Sequence, residues 1–380
     1  MDAPETHHAE VPASAKPTKP DLRSMLTAGV FLVVIGGLFL AGRVVPSPAV
    51  LAAERRAPAP LPALTVDSVV SAQFMSGFES YAADRFPLRP SLQTVHAASV
   101  VGLFAQSDKG GLFLVDGSVS RIVPDDEASY ALAGDKINTV ARGLAGLKLY
   151  YGVIPDKATF TGRHLPGVVP GRAAAALAGR LDGLTALPLD GALDASSFYR
   201  TDLHWDQARL QPVVEALGAA MGFTVDLGSY STRDAGDFVG AYGAQWALPV
   251  TPDRLMYRDD PALTASYLDP LTQAMVPGPV YDPAAITAVD PYNVFLRGPQ
   301  PLIVLTNPAA TTDRELILFR DSFGSSLAPL LAGAYSKVTL INLRYISASI
   351  LDQFVDFRPG SDALFLFSSQ ILNNASVLRV

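Results

Sequence analysis

The chain contains no cysteine. That absence removes thiol nucleophiles, thiolate metal sites, disulfides and a lipoprotein-type anchor together. Basic runs are missing too, and the formal net charge over 380 residues is -7, which disfavours a nucleic-acid surface. Histidine is scarce: there are five, and two of them, His7 and His8, fall in a polar N-terminal stretch. No Gly-rich phosphate loop follows a strand, and no basic cluster is placed to hold a 3′-phosphate. Acetyl-CoA is therefore not an expected ligand, and no cofactor is expected. No internal period indicates a solenoid or propeller.

What is present is apolar surface. Hydrophobic residues make up 49% and charged residues 17% of the chain, enough for one large core or two modest ones. Residues 1–24 form a polar leader expected to be disordered. Residues 25–42 (MLTAGVFLVVIGGLFLAG) carry no charge and are long enough to span a bilayer core, which takes roughly 17–25 residues. Lys16, Lys19 and Arg23 precede this run and favour a cytoplasmic N-terminus, although Arg43, Arg55 and Arg56 follow it. A signal peptide cleaved after Ala52 or Ala53 is the alternative, but its apolar region is usually about 7–15 residues. Residues 43–63 read as a Pro/Ala linker, and the folded domain is expected over 64–380.

Within that domain, FESYAADRFPLR reads as an amphipathic helix broken at Pro87. Residues 147–154 (LKLYYGVI) read as a strand, and 172–187 as a helix. Asp206 is a good N-cap and Gly222 a good stop for the helix between them. Leu210, Val213, Val214 and Leu217 give that helix a buried face. The stretch 229–307 reads as long loops. The C-terminal part alternates: strand 315–319, helix 325–334, strand 338–343, helix 346–357, strand 363–368. That order implies an α/β fold with a parallel sheet covered on both faces.

Two segments can carry chemistry. In FRDSFGSS, Ser322 sits between an apolar strand and a helix. A turn of this kind projects a side chain from the sheet edge beside a helix N-terminus, where an oxyanion would be stabilised. G-x-S-x-G is absent, and a plain helix N-cap would explain the serine as well. In YRTDLHWDQ, Asp202 and His204 are two apart and point to one side of an extended segment. Asp202 can then orient the imidazole through Nδ1, leaving Nε2 to take a proton from a hydroxyl. A polar turn before a helix is the bland alternative. A metal site from Asp202, His204 and Asp206 is another, but it would have to recruit His96 or His164 from far away, so no metal is expected. The three residues can meet at one end of the sheet, where open α/β folds place ligands.

YRTDLHW followed by RDSFG resembles the alginate O-acetyltransferase-like, or DHHW, proteins, whose fold is a circularly permuted relative of the SGNH hydrolases. The resemblance extends over most of residues 74–374, through FESYAADRFPLR, VIPDK, GDFVGAYG, DPYNVFLRG and LRYI. It implies a three-layer SGNH-like domain with Ser322 as nucleophile, His204 as general base and Asp202 as its orienting acid. It further implies O-acetylation of an extracytoplasmic polysaccharide in exopolysaccharide biosynthesis, with a multispanning membrane O-acyltransferase supplying acetyl groups. The domain would then lie in the periplasm or cell exterior, tethered to the cell membrane by a single helix. A carbohydrate esterase and a non-catalytic polysaccharide-binding scaffold are the other functions this fold could serve. The sequence departs from the pattern at Leu203, where the family's motif has a second His. It departs again at Asn342, where a frequent Asp precedes L-R-Y. Arg344 and Tyr345 are candidate substrate or oxyanion supports, with a structural ion pair as the equal alternative, whereas Lys157 and Arg320 are read as structural.

Overall fold

The computed structural model describes residues 21–44, 49–51, 53–162, 172–260, 262–287 and 289–380. The leader expected over 1–24 lies outside these as far as residue 20. The chain divides into two compact units, Met1–Ala49 with Pro58–Arg89, and Val50–Ala57 with Pro90–Val380. The linker expected over 43–63 is thus divided, because its Val50–Ala57 stretch is built into the second unit.

In the first unit, Leu22–Val44 forms one helix. It contains the only span among the described residues long and apolar enough to cross a membrane, Leu22–Gly42, with a mean hydropathy of 2.3. Thr65 and Ser68 form a reciprocal capping box on the short helix Val66–Val70, which satisfies two otherwise unpaired N–H groups. The amphipathic segment is helical over Gln73–Asp84 and stops before Pro87, as the proline requires.

The second unit is built on an eight-stranded sheet. Its strands are β1 (Lys148–Ile154), β2 (Thr185–Leu187), β3 (Thr264–Leu268), β4 (Met275–Gly278), β5 (Leu302–Thr306), β6 (Glu315–Arg320), β7 (Lys337–Ile341) and β8 (Asp362–Ser368). Their spatial order is β2-β1-β8-β6-β7-β5-β3-β4. The five from β2 to β7 run parallel. The remaining three are antiparallel to their neighbours. The expected parallel sheet is therefore mixed. Its antiparallel edge arises from 229–307, expected as loops, where the turn residues hide five strands: these three and a separate antiparallel pair, Ser231–Phe238 with Asp253–Asp259.

Alternation along β6 and β8 separates two cores. Leu316, Leu318, Leu364 and Leu366 face one side, with the helices Gln211–Met221 and Phe323–Leu331. Ile317, Phe319, Ala363, Phe365 and Phe367 face the other, with the helices Glu127–Arg142 and Arg172–Ala178. Both faces are covered, so the interiors of β6 (Leu316–Phe319) and β8 (Ala363–Phe367) are unbroken apolar runs, as the physics of a buried parallel sheet demands. Leu210, Val213, Val214 and Leu217 are buried as their spacing predicts. Asp206 caps a 3-10 turn, Gln207–Arg209, ahead of the helix, and Gly222 ends it at φ 73°.

Two expected helices shrink. The one over 172–187 ends at Ala178, and Thr185–Leu187 becomes the edge strand β2. The one over 346–357 is only a 3-10 turn, Ala348–Gln353. In both cases the segment is short and sits beside a strand whose pairing or packing outweighs helical propensity.

Leu318 lies at the centre of the sheet, paired with Leu340 on β7 and Leu364 on β8. Leu318→Ala is expected to cost roughly 2–5 kcal/mol, the range for truncating a fully buried leucine. Urea melts checked by circular dichroism would measure it, and a cost under about 1 kcal/mol would mean that this core readily collapses around the gap.

Candidate active site

The nucleophile candidate stands at the carboxyl end of β6. Ser322 precedes the helix Phe323–Leu331 with φ -64° and makes no side-chain capping bond. Asp321 takes the capping role instead: its Oδ1 accepts from the Phe323 N–H at 3.0 Å and its Oδ2 from the Ser368 N–H at 2.7 Å. The plain N-cap explanation for Ser322 is thereby removed, and its hydroxyl is left for a partner other than the helix start. Gly324 serves close packing rather than a left-handed turn, since a Cβ there would lie 2.6 Å from Cβ of Arg320.

His204 Nε2 lies 2.8 Å from Ser322 Oγ, and His204 Nδ1 lies 2.6 Å from Asp202 Oδ1. The loop that carries this pair is not the extended segment expected. It curls so that Asp202 Oδ1 also accepts from the His204 backbone N–H at 3.0 Å. Lys157 holds the curl from beneath. Its ammonium donates to the carbonyls of Tyr199, Arg200 and Asp202 at 2.8–3.0 Å. Burial pushes that ammonium down to about 7, against the pull of Asp202 and Asp253. Three carbonyl acceptors need three N–H donors, which only the charged form has.

Asp202 is fully buried. Burial alone would raise its carboxyl. His204, Arg55 and the Ala241 N–H together outweigh that and hold it well below the usual carboxylate range. An ionised carboxylate can only accept, so Nδ1 carries the proton and Nε2 is left bare toward Ser322. The Ala241 N–H donates to Asp202 Oδ2 at 2.8 Å. Gly240 makes that approach possible, because a Cβ on it would fall 2.3 Å from Cβ of Asp202.

The imidazole is also held on its face. Tyr292 stacks on His204 with ring centroids 3.8 Å apart and planes 7° from parallel. The Tyr292 hydroxyl donates to Ser326 Oγ at 2.8 Å, and the Trp205 indole N–H donates to the same oxygen at 2.8 Å. Ser326 in turn donates to the Phe323 carbonyl at 3.2 Å. Trp205, next to the histidine, is thus tied to the helix that follows the nucleophile.

No hydrogen bond, ion pair or ring contact among the described residues joins Arg344 or Tyr345 to Asp202, His204 or Ser322. Arg344 donates to Asn342 Oδ1 through its backbone N–H at 3.3 Å and through Nε at 3.0 Å, and its guanidinium lies over the exposed Tyr345 ring. Arg344 has no ion pair with a carboxylate among the described residues. With Asn at 342 the counter-charge is missing, and Arg344 reinforces the burial that pushes Arg320 down to about 10. Arg320 is structural in its contacts, donating to the Asp321 carbonyl and Ser325 Oγ. Leu203 packs with apolar neighbours. Both ring nitrogens of His204 are hydrogen-bonded to protein groups, and Asp206 caps Ala208. His7, His8 and His164 lie outside the described residues, and His96 lies in the helix Arg89–Ala97.

Sequence reasoning missed Tyr292, Asp290 and Arg55. The first two lie in DPYN, a turn signal that announces no stacking partner. Arg55 lies in a Pro/Ala stretch that reads as solvent-exposed.

No sequence profile of a known protein family matches the chain, and no curated protein matches it by sequence. By fold the chain is similar to solved proteins, among them a member of the DHHW family. A DHHW family protein from Eubacterium siraeum superposes with a TM-score of 0.57 at 19% identity, covering 71% of this chain and 95% of that one. Bacillus cereus PatB1, solved with a sulfonyl adduct, matches with a TM-score of 0.54 at 14% identity, over 69% of this chain and 95% of that one. The O-acetyltransferase domain of Pseudomonas putida AlgJ matches at 0.38, too low to carry a fold argument.

Two outcomes follow from the buried carboxylate. Gly240→Ala should leave a folded protein by circular dichroism but cut turnover of an activated ester about 100-fold, as expected for a misplaced reacting group. Full turnover would show that Asp202 tolerates displacement. Asp202→Asn should be less stable than the parent at pH 7, and the gap should narrow as the pH falls below about 4. The sign follows from the depressed folded-state value. The contribution is complete above the unfolded carboxylate pKa and is lost as the pH drops toward the folded one. Urea melts of both proteins from pH 7 to pH 3 would read it, and a constant gap would contradict it.

Proposed function

We propose that the chain is an O-acetyltransferase that acts on an extracytoplasmic polysaccharide through an acyl-serine intermediate, in exopolysaccharide biosynthesis. The observation that carries this reading is the continuous relay from buried Asp202 through His204 to Ser322, with both hydrogen bonds at 2.6–2.8 Å. The fold shared with a DHHW family protein supports it. So does PatB1, whose sulfonyl adduct is the kind of group an activated hydroxyl or other nucleophile captures. We assign the domain to the SGNH-like three-layer class on the same grounds.

In the first half-reaction, Ser322 Oγ attacks the acyl carbonyl carbon while His204 Nε2 takes the hydroxyl proton. The donor's C–O bond breaks, and the imidazolium returns its proton to the leaving oxygen. In the second half, a sugar hydroxyl attacks the acyl-Ser322 ester and gives its proton to Nε2. The sugar ester forms, and Ser322 Oγ recovers that proton. Water as acceptor would make the same relay a carbohydrate esterase. An intact relay argues against a mere scaffold, which would have no need to keep it.

The helix Leu22–Val44 is the anchor in this reading. It would make the protein single-pass in the inner membrane, with the catalytic unit in the periplasm or cell exterior. An outward domain cannot meet cytoplasmic acetyl-CoA, and one helix cannot carry an acyl group across a bilayer. The acetyl donor is accordingly a multispanning membrane O-acyltransferase.

The full chain in detergent should hydrolyse 4-nitrophenyl acetate and take up one sulfonyl group from phenylmethanesulfonyl fluoride at Ser322, read by intact-mass and peptide mass spectrometry. Ser322→Ala should stay folded and do neither. Acetyl-CoA should leave Ser322 unlabelled. Turnover in a folded Ser322→Ala protein would remove the acyl-serine mechanism, and labelling by acetyl-CoA would remove the two-protein relay.

A further inference from the structure

Arg55 belongs to AERRAPAP, between the apolar helix and the folded unit in sequence, where a basic residue is expected to point into water. The structure places it otherwise. The Leu51 N–H donates to the Arg56 carbonyl at 2.8 Å and the Glu54 N–H to the Leu51 carbonyl at 3.1 Å. Together they close a small loop anchored by the buried Leu51 side chain. Arg55 sits in it at φ 52°, a left-handed conformation that non-glycine residues rarely adopt unless surrounding contacts impose it. The contacts are two ion pairs. Nη2 donates to Asp202 Oδ2 at 2.9 Å and Nη1 to Asp290 Oδ1 at 2.6 Å, with the Arg55 side chain only 10% exposed.

Those two carboxylates are the supports of one ring. Asp202 holds His204 by its edge through Nδ1. Asp290 accepts from the Tyr292 N–H at 3.1 Å and so fixes the turn whose tyrosine stacks on the His204 face. Without the guanidinium, the two carboxylates it bridges would lose the cation they share.

We propose that Arg55 is a positioning residue that clamps Asp202 and the Tyr292 turn around His204, so that the segment following the apolar helix sets the geometry of the catalytic base. This inference rests on the acyl-serine reading of the site. Its charge has a second consequence. Arg55 opposes a positive charge on the imidazole, and Asp290 offsets part of that opposition. Other charged groups near the Asp202, His204 and Tyr292 cluster include Lys157 and Asp253 at the loop and Asp321 and Arg320 near the nucleophile.

The test uses the full chain in detergent, with 4-nitrophenyl acetate as substrate. Arg55→Gln is expected to lower kcat about 10- to 100-fold, the cost of a loosened reacting group, with KM within about twofold. It should also move the acidic limb of the pH–rate profile to higher pH. Asp290→Asn keeps the ability to cap Tyr292 and does not touch Asp202, which makes it the milder variant. It should move the limb the opposite way, to lower pH, with a smaller loss of kcat. Arg55→Lys should recover part of the kcat lost in Arg55→Gln. Should Arg55→Gln fail to fold, the Asp290→Asn and Arg55→Lys profiles still decide. A limb unmoved in the folded variants, or a kcat that falls only with the folded fraction, overturns the proposal. Turnover that survives Ser322→Ala, measured alongside, would instead overturn the acyl-serine reading and the role of Arg55 with it.

Discussion

A carboxylate with no exposure to water has to be answered by hydrogen bonds, and at Asp202 that requirement organises the site. Leaving such a charge unpaired would cost several kcal/mol. Four donors meet it: the His204 N–H and Nδ1–H on Oδ1, and the Ala241 N–H and Arg55 Nη2 on Oδ2. Each donor comes with a structural demand. The first two curl the loop, the third requires a glycine at 240, and the fourth draws in a segment 147 residues away in sequence. The imidazole is oriented because the carboxylate must be satisfied, and the hydroxyl of Ser322 lies at the far end of that chain of obligations.

The sheet supplies the other half of the geometry. β6 delivers Ser322 at its carboxyl end, where Asp321 ties the helix start to β8 through the Ser368 N–H. The nucleophile is thereby placed relative to two central strands rather than on a free loop. Trp205 and Tyr292 converge on Ser326, one helical turn beyond the nucleophile. Base and nucleophile are held to the same short helix, so their 2.8 Å separation does not depend on the loop alone. Rigid support of this kind is what a proton relay needs, since a displacement of about 1 Å costs about 100-fold in rate.

Asn342 offers an oxygen to Arg344 but no charge, and among the described residues its own Nδ2 has no hydrogen-bond partner, nor have Nε and Nη2 of the buried Arg320. The sheet end beside the nucleophile is consequently rich in donors and short of acceptors. Arg344 is oriented here by an amide rather than by an ion pair.

The sequence by itself determined the elements whose signals are local. The apolar run 25–42, the alternating C-terminal strands, the buried stripe of Leu210, Val213, Val214 and Leu217, and the Asp206 and Gly222 helix signals could all be read from spacing. Asp202, His204 and Ser322 could be named because each lies in a short motif with a chemical role. What tertiary structure decided was everything settled by contact between distant segments. The antiparallel strands β3, β4 and β5 were hidden because short edge strands owe their form to their neighbours rather than to their own propensity. The helix expected over 346–357 gave way to a turn for the same reason. Tyr292 against His204 and Arg55 against Asp202 carry no local signal at all, because a stacking face and a buried ion pair exist only once the chain has brought their halves together.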